Sequence, residues 1–215
     1  MAVLHHAFRC HVTPVFEQDI SNLLAAWHAG DRTRISTMAL ARYAALANRE
    51  DIHAAFYLGP EGAAPSWLQP HVIGLGLAAL VVLAPSFVAL PTLSASNDTN
   101  HHRLATHLPA LGWPADEIDL LVHGQPIEAM LCGYAASAPR LDPGGFRHTG
   151  GWIPGGMAKK LGASLDQIAS TPPREADNTA IAAWHSLRES SALNDARTML
   201  ASVTERDWLI TSITH

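Results

Sequence analysis

The sequence contains few lysines, few cysteines and little charge. Its 14 basic residues include only two lysines, Lys159 and Lys160, which are adjacent. The net charge is −5 with His counted as neutral, which argues against a general binder of nucleic acids or acidic membranes. Cys10 and Cys132 are far apart and form no CxxC pair, a pattern that favours a reducing compartment. We therefore expect a cytoplasmic protein.

One long stretch carries no formal charge. Residues 62–97 include no Asp, Glu, Lys or Arg, and residues 72–93 are almost entirely apolar. Such a run is long enough to cross a bilayer, but Pro85 and Pro91 interrupt it and no Lys or Arg cluster flanks it. We therefore prefer a buried apolar segment, 72–90, in which one helix ends at Pro85 and a second short helix follows. A membrane span is the alternative.

Helical patterns dominate the rest of the chain. Ala occurs 36 times and has the highest helix propensity. Apolar spacing, caps and breakers predict helices over residues 14–30, 33–48, 101–110, 114–123, 157–169, 178–190 and 194–205. Strands do not alternate with helices, which argues against a parallel α/β sheet. The sequence predicts a mainly α single domain, 1–215: a multi-helix bundle around segment 72–90, with the two chain ends paired as a small two-stranded ribbon.

The most distinctive segment is a glycine-rich, locally basic stretch, predicted as an irregular loop over residues 139–156. It contains three Gly-Gly pairs. From Arg140 to Lys160 there are four basic residues and a single acidic one. Glycine-rich backbone that leads into a helix N-terminus favours anions, and long loops are often functional. The candidate ligand-binding residues are Arg140, Arg147, His148, Trp152, Lys159 and Lys160.

These observations predict a soluble intracellular binding protein of the inhibitor, immunity or accessory type. Its partner would be another protein or a small anionic ligand, recognised through residues 140–160. No recognised catalytic motif supports an enzyme directly. For example, the sequence has no GxSxG nucleophile elbow of the kind found in α/β-hydrolases. A flexible connector is the simpler interpretation of the same loop.

The histidines support an alternative, a metal-dependent enzyme built on a helical bundle. A carboxylate and a His three or four residues apart project from one face of a helix and can share a divalent metal. Three such pairs fall on predicted helices. Chance alone would give roughly four to five His with an acid at this spacing, and the chain has six. The candidate ligands are Glu50, His53, Asp119, His123, His185 and Glu189.

A second alternative is DNA binding through a helix-turn-helix at 157–171. Ala158, Gly162 and Ile168 have the spacing of that motif. Asp166 disagrees with it, because base-reading helices favour Arg, Asn and Gln on the face that meets the groove. We therefore expect no nucleic-acid partner.

The six tryptophans raise the question of an aromatic pocket. Trp184 falls on a predicted helix and is expected in the core, whereas Trp113 and Trp152 fall in loops or at helix starts. Trp152 is the most notable of them, because its glycine neighbours cannot bury it locally.

Overall fold

A computed structural model describes residues 4–46, 49–50, 81–91, 93–95, 98–126, 148–174 and 177–214. The described part contains seven helices and seven strands with stated bounds, a further helical stretch at 81–83, and short 3-10 helices. In chain order they are β1 (Leu4–His11), α1 (Pro14–His28), α2 (Arg32–Leu46), β2 (Phe87–Ala89), β3 (Ser94–Ala95), β4 (Asp98–Thr99), α3 (Asn100–His107), α4 (Ala115–His123), β5 (Gln125–Pro126), β6 (His148–Pro154), α5 (Gly155–Ser170), α6 (Asn178–Glu189), α7 (Ala192–Ala201) and β7 (Asp207–Thr214).

The prediction of a mainly α bundle is wrong, because the fold is mixed α/β. Five strands form one sheet in the order β2-β1-β7-β6-β5, and β3 pairs with β4 in a separate antiparallel ribbon with Ser94 opposite Thr99. β1 and β7 are neighbours, which confirms the predicted pairing of the chain ends. The predicted two-stranded ribbon is nevertheless part of a larger sheet. Sequence patterns missed that sheet because its strands come from distant parts of the chain and pair only after folding.

The glycine-rich segment accounts for one of the missed strands. Residues 139–147 lie outside the described residues, but 148–154 form β6 and 155–156 begin α5. Glycine is uncommon in strands, so Gly150 and Gly151 favoured a loop. The prediction of an irregular loop is therefore wrong for residues 148–156.

The apolar segment 72–90 is described only from residue 81 onward. Val81, Val82 and Leu83 are helical and buried, as expected of a core helix. A 3-10 helix, Ala84–Ser86, follows, and the chain then extends into β2. The predicted second helix is therefore wrong, because Pro85 stops the first helix and strand-forming residues follow it. Within the described ranges, no helix has both the length and the apolar character needed to cross a membrane.

The chain divides into two compact units. One comprises Met1–Arg9, Ala89–Gly124 and Thr149–His215, and the other comprises Cys10–Val88 and Gln125–His148. The single domain 1–215 stays a prediction.

Capped helices build the described part of the second unit. Thr13 accepts a hydrogen bond from the Phe16 N–H at 3.2 Å at the start of α1, and Asp31 accepts one from the Arg34 N–H at 2.9 Å at the start of α2. Both are N-cap interactions, which satisfy amides that have no helical partner. Arg42 on α2 forms an ion pair with Asp19 on α1. The helix predicted over 33–48 is thus confirmed in its main part.

The first unit contains an extensive apolar core to which α3 to α7 contribute. The helices predicted over 157–169, 178–190 and 194–205 are confirmed as α5, α6 and α7, with ends shifted by a few residues. Asn100, the first residue of α3, is buried and donates to Asp195 at 2.6 Å and to Ser191 at 2.8 Å. These bonds tie the start of α3 to the start of α7, and they satisfy an amide whose burial would otherwise be costly.

Candidate functional site

An open groove of about 730 Å³ lies in the described part of the first unit. Its walls are the end of the 3-10 helix before α4 and the start of α4, the last turns of α5, residues 171–174 with Asp177, and the first two turns of α6. We call it the tryptophan groove because Trp113 and Trp184 both line it. A volume of this size is within the range of small-molecule sites in proteins.

Trp113 is fixed at one wall by the local structure before α4. Gly112 has a φ of +77°, a conformation that glycine adopts without strain, and the chain turns there out of the preceding 3-10 helix. The Trp113 N–H then donates to the Leu108 carbonyl at 3.2 Å, and its indole N–H donates to the Glu117 carboxylate. Trp113 is only 6% exposed. Its ring is therefore held by both main-chain and side-chain hydrogen bonds.

Trp184 also lines the groove, and contacts with α5 and with its own helix fix its ring. Its indole N–H donates to the Ile168 carbonyl at 3.0 Å, which joins α6 to the C-terminal end of α5. The Arg188 guanidinium, one turn further along α6, lies 4.5 Å from the centre of the Trp184 ring. This is a cation–π contact. Trp184 is only partly buried, so the expectation that it belongs to the core is not met.

Ionisable groups also line the groove. Asp177 caps α6 by accepting from the Ala180 N–H at 2.9 Å. Glu117 lies in the first turn of α4 and accepts from Trp113. Arg174 is exposed on the connecting segment and is the one basic side chain among the described lining residues. Two carboxylates and one guanidinium therefore belong to the described lining, and the Arg188 guanidinium lies beside it against the Trp184 ring.

The structure describes only part of the predicted ligand-binding set at 140–160. Arg140 and Arg147 lie outside the described residues, and only the backbone of His148 is described, at the start of β6. Lys159 and Lys160 are exposed on α5. Trp152 is 9% exposed, with its ring centre 5.1 Å from that of Trp208 in an edge-on arrangement. A partner from another strand thus buries the tryptophan that its glycine neighbours could not.

Close backbone packing explains why two of the glycines occur in this segment, without any ligand. A Cβ on Gly151 would lie 1.7 Å from the His123 carbonyl oxygen, and one on Gly155 would lie 2.0 Å from the Thr204 carbonyl oxygen. Both distances are far below van der Waals contact, so the backbone approaches too closely for any side chain. These glycines allow β6 and the start of α5 to pack against neighbouring backbone.

The predicted helix-turn-helix has no turn. Residues 155–170 form the continuous helix α5, and Gly162 lies inside it. The spacing of Ala158, Gly162 and Ile168 therefore belongs to a single helix. Leu161 and Leu165, with Ala158, are its buried positions.

The predicted metal ligands that lie within the described residues do not form a common site. His123 Nε2 lies 4.0 Å from Asp119 Oδ1, and both side chains are largely exposed. His185 and Glu189 are exposed on α6, Glu50 is exposed, and His53 lies outside the described residues. No group of three or more His, Cys, Asp or Glu side chains within the described ranges could hold a metal ion. A divalent metal stays a prediction that rests on the sequence alone.

A different set of histidines does come together near β1. The His5 and His101 rings stack with their centres 6.4 Å apart, and the Leu93 N–H donates to His5 Nδ1 at 3.3 Å. His5 is 1% exposed. Burial, and then the neighbouring His101, His6 and His123, lower the pKa of His5 to about 3. His5 is therefore a neutral member of the core.

Comparisons with protein-family models, with curated proteins and with solved structures found no match. The tryptophan groove was missed from the sequence, because its walls come from segments about 60 residues apart. A usable signal was the spacing of Trp113 and Glu117, four residues apart at a helix start.

Proposed function

We propose that this protein is a binding protein that takes a small ligand, or a side chain of a partner, in the tryptophan groove. The observation that carries the proposal is an open groove of about 730 Å³ with two tryptophan rings fixed in its walls. Aromatic side chains bury a large apolar area at low entropic cost, and they are enriched in binding sites.

Pre-organisation supports this proposal. The indole N–H groups of Trp113 and Trp184 both donate to acceptors within the protein. The two rings are therefore held before a ligand arrives, which lowers the ordering cost of binding. The indole donors are already engaged, so the partly buried Trp184 ring offers the ligand mainly its apolar and π surface, while the 6% exposed Trp113 ring forms part of the wall.

The proposal includes a cytoplasmic location, supported by the sparse cysteines and by the buried thiol of Cys10. The proposal also includes the anionic partner predicted for residues 140–160, which would contact Lys159 and Lys160. The adjacent, exposed positions of these two lysines on α5 support a second contact surface.

The groove proposal is tested with neutral aromatic fragments, beginning with indole, titrated into the isotopically labelled protein. We expect the indole N–H resonances of Trp113 and Trp184 to shift, while that of Trp208 stays in place. Trp184→Ala should abolish the binding. Trp208→Phe is the matched control, because it changes a tryptophan outside the groove lining.

The proposal is overturned if no fragment shifts the two groove resonances. It is also overturned if Trp184→Ala binds the fragments as tightly as the unaltered protein does.

A further inference from the structure

We infer that acid opens one part of the first unit: a proton on His5 releases Leu93, and the β3–β4 ribbon that follows it, from β1. The inference does not depend on the tryptophan groove. Its basis is the position of His5, a buried side chain that accepts a main-chain hydrogen bond and lies among other histidines.

The His5 side chain continues the hydrogen bonding that the main chain of β1 begins. β2 lies beside β1 in the sheet, and the Leu90 N–H, just after β2, donates to the Ala7 carbonyl at 2.9 Å. Pro91 has no N–H to donate. The Leu93 N–H then donates to His5 Nδ1 at 3.3 Å. A side-chain acceptor therefore holds Leu93 on β1.

This hydrogen bond requires a neutral His5 ring. Because Nδ1 accepts from Leu93, Nδ1 itself carries no proton. An imidazolium has an N–H on both ring nitrogens and accepts at neither. A proton on Nδ1 would therefore face the Leu93 N–H, donor against donor. Leu93 is fully buried, and a buried amide that loses its acceptor is costly, so the two groups must separate.

The surroundings of His5 also oppose a charge. Its ring stacks on that of His101 of α3, with the ring centres 6.4 Å apart. The titratable groups that act on His5 are His101, His6 of β1 and His123 of α4. All three are histidines, so a proton on any of them adds positive charge near His5. Burial, followed by these neighbours, lowers the pKa of His5 to about 3. His5 therefore takes up a proton near neutral pH only when it reaches solvent.

The opening can stay local because the chain is anchored again at Asn100. This buried residue donates to Asp195 and Ser191 at the start of α7. Between Leu93 and Asn100 lies the β3–β4 ribbon, whose strands have two residues each. A two-stranded ribbon by itself is at best marginally stable. Leu93 and the ribbon can therefore leave β1 while α3 stays in place.

The test is hydrogen exchange of the Leu93 amide, measured by NMR at pH 7 and pH 5 and corrected for the intrinsic exchange rate at each pH. The open form takes up a proton with the ordinary His pKa near 6.5, whereas the closed form does not. Opening should therefore become about 25-fold more favourable at pH 5 than at pH 7. The protection of the Leu93 amide should fall by the same factor.

A second amide separates local opening from unfolding of the whole unit. Leu165 is buried in α5, and its amide should exchange more slowly than that of Leu93 at both pH values. Low concentrations of urea should speed the exchange of Leu165 and leave that of Leu93 almost unchanged, because a local opening exposes little new surface.

Two variants assign the effect to His5. His5→Asn keeps an acceptor for the Leu93 N–H but has no titratable ring, so protection of Leu93 should be the same at pH 5 as at pH 7. His102→Gln is the matched control, because it removes an exposed histidine of α3. It should retain the 25-fold change.

Equal protection of Leu93 at the two pH values in the unaltered protein would overturn the inference. Exchange of Leu93 and Leu165 with the same rate and the same urea dependence would overturn it as well, since His5 would then meet solvent only on global unfolding. So would a pH dependence that persists in His5→Asn, because another group would then be its source.

Discussion

Two pairs of tryptophans in the same unit have opposite surroundings. Trp152 and Trp208 pack edge-on in neighbouring strands, beside backbone that approaches too closely for a side chain at Gly151. Trp113 and Trp184 are fixed in the walls of an open groove. The comparison shows that a glycine-rich, tryptophan-containing segment can be a packing feature. The proposed binding surface is lined by two rings that bond to different acceptors, Glu117 and the Ile168 carbonyl.

The largest effect is expected at the tightly packed pair, from Gly151→Ala. The added Cβ would meet the His123 carbonyl oxygen at 1.7 Å, so the backbone must move. We expect the free energy of unfolding to fall by about 3 kcal/mol or more, measured by urea denaturation.

Gly156→Ala is the matched control, because a Cβ at Gly156 meets nothing within 4 Å. It should leave stability unchanged or raise it slightly. If Gly151→Ala is as harmless as Gly156→Ala, the packing explanation of the glycines is wrong.

A similar effect is expected from removing a ring of the packed pair. Trp152→Ala should lower the free energy of unfolding by about 3 kcal/mol. Trp184→Ala should cost less than half of that, because Trp184 is only partly buried. Fragment binding, measured where both variants are folded, should show the reverse order.

Trp152→Phe serves as a control for the packed pair. It keeps a ring at this position and removes an indole N–H that has no hydrogen-bond acceptor within the described residues. It should therefore cost only about 1 kcal/mol. If Trp152→Ala lost fragment binding and Trp184→Ala kept it, the assignment of packing to Trp152 and of binding to Trp184 would be wrong.

An intermediate effect on the free energy of unfolding is expected from lowering the pH, because His5 is buried in the first unit. The pKa of His5 is lowered to about 3 in the folded protein, whereas a His in the unfolded chain titrates near 6.5. The unfolded state therefore binds the extra proton between these pH values. Stability contributed by neutral His5 is full above about pH 6.5 and declines as the pH falls toward 3. We expect it to decrease by about 2 kcal/mol from pH 7 to pH 5.

This pH dependence is measured by urea denaturation at both pH values. His5→Asn keeps an acceptor for the Leu93 N–H and should remove most of the dependence. His102→Gln, which changes an exposed residue of α3, should retain it. An unchanged pH slope in His5→Asn would show that His5 is not its source.

The smallest effect is expected at the edge of the groove, from Asp177→Ala. It removes the N-cap of α6 and should cost about 1 kcal/mol of stability, measured by thermal unfolding. Asp177→Asn keeps a capping oxygen and should restore the stability. A full loss in Asp177→Asn as well would show that the carboxylate charge, and not the cap, supports α6.

Local signals predicted the helices well. Thr13 and Asp31 cap α1 and α2 as their residue types favour, and α5, α6 and α7 follow three- and four-residue apolar spacing. The candidate sites fared differently. Residue type and spacing pointed to the His–acid pairs, whose described members form no group of three or more possible metal ligands. They also pointed to the basic residues of the glycine-rich segment, of which Arg140 and Arg147 lie outside the described residues.

The sequence by itself determined where most helices begin and end, because caps, breakers and apolar periodicity act over a few residues. It also located the strand-forming chain ends. Only the tertiary structure decided that β1, β7 and β6 form one sheet, that Gly151 is needed for close backbone contact, and that Trp113 and Trp184 share a groove. These features depend on contacts between segments far apart in the chain, and no local pattern encodes which distant backbone or ring will lie opposite.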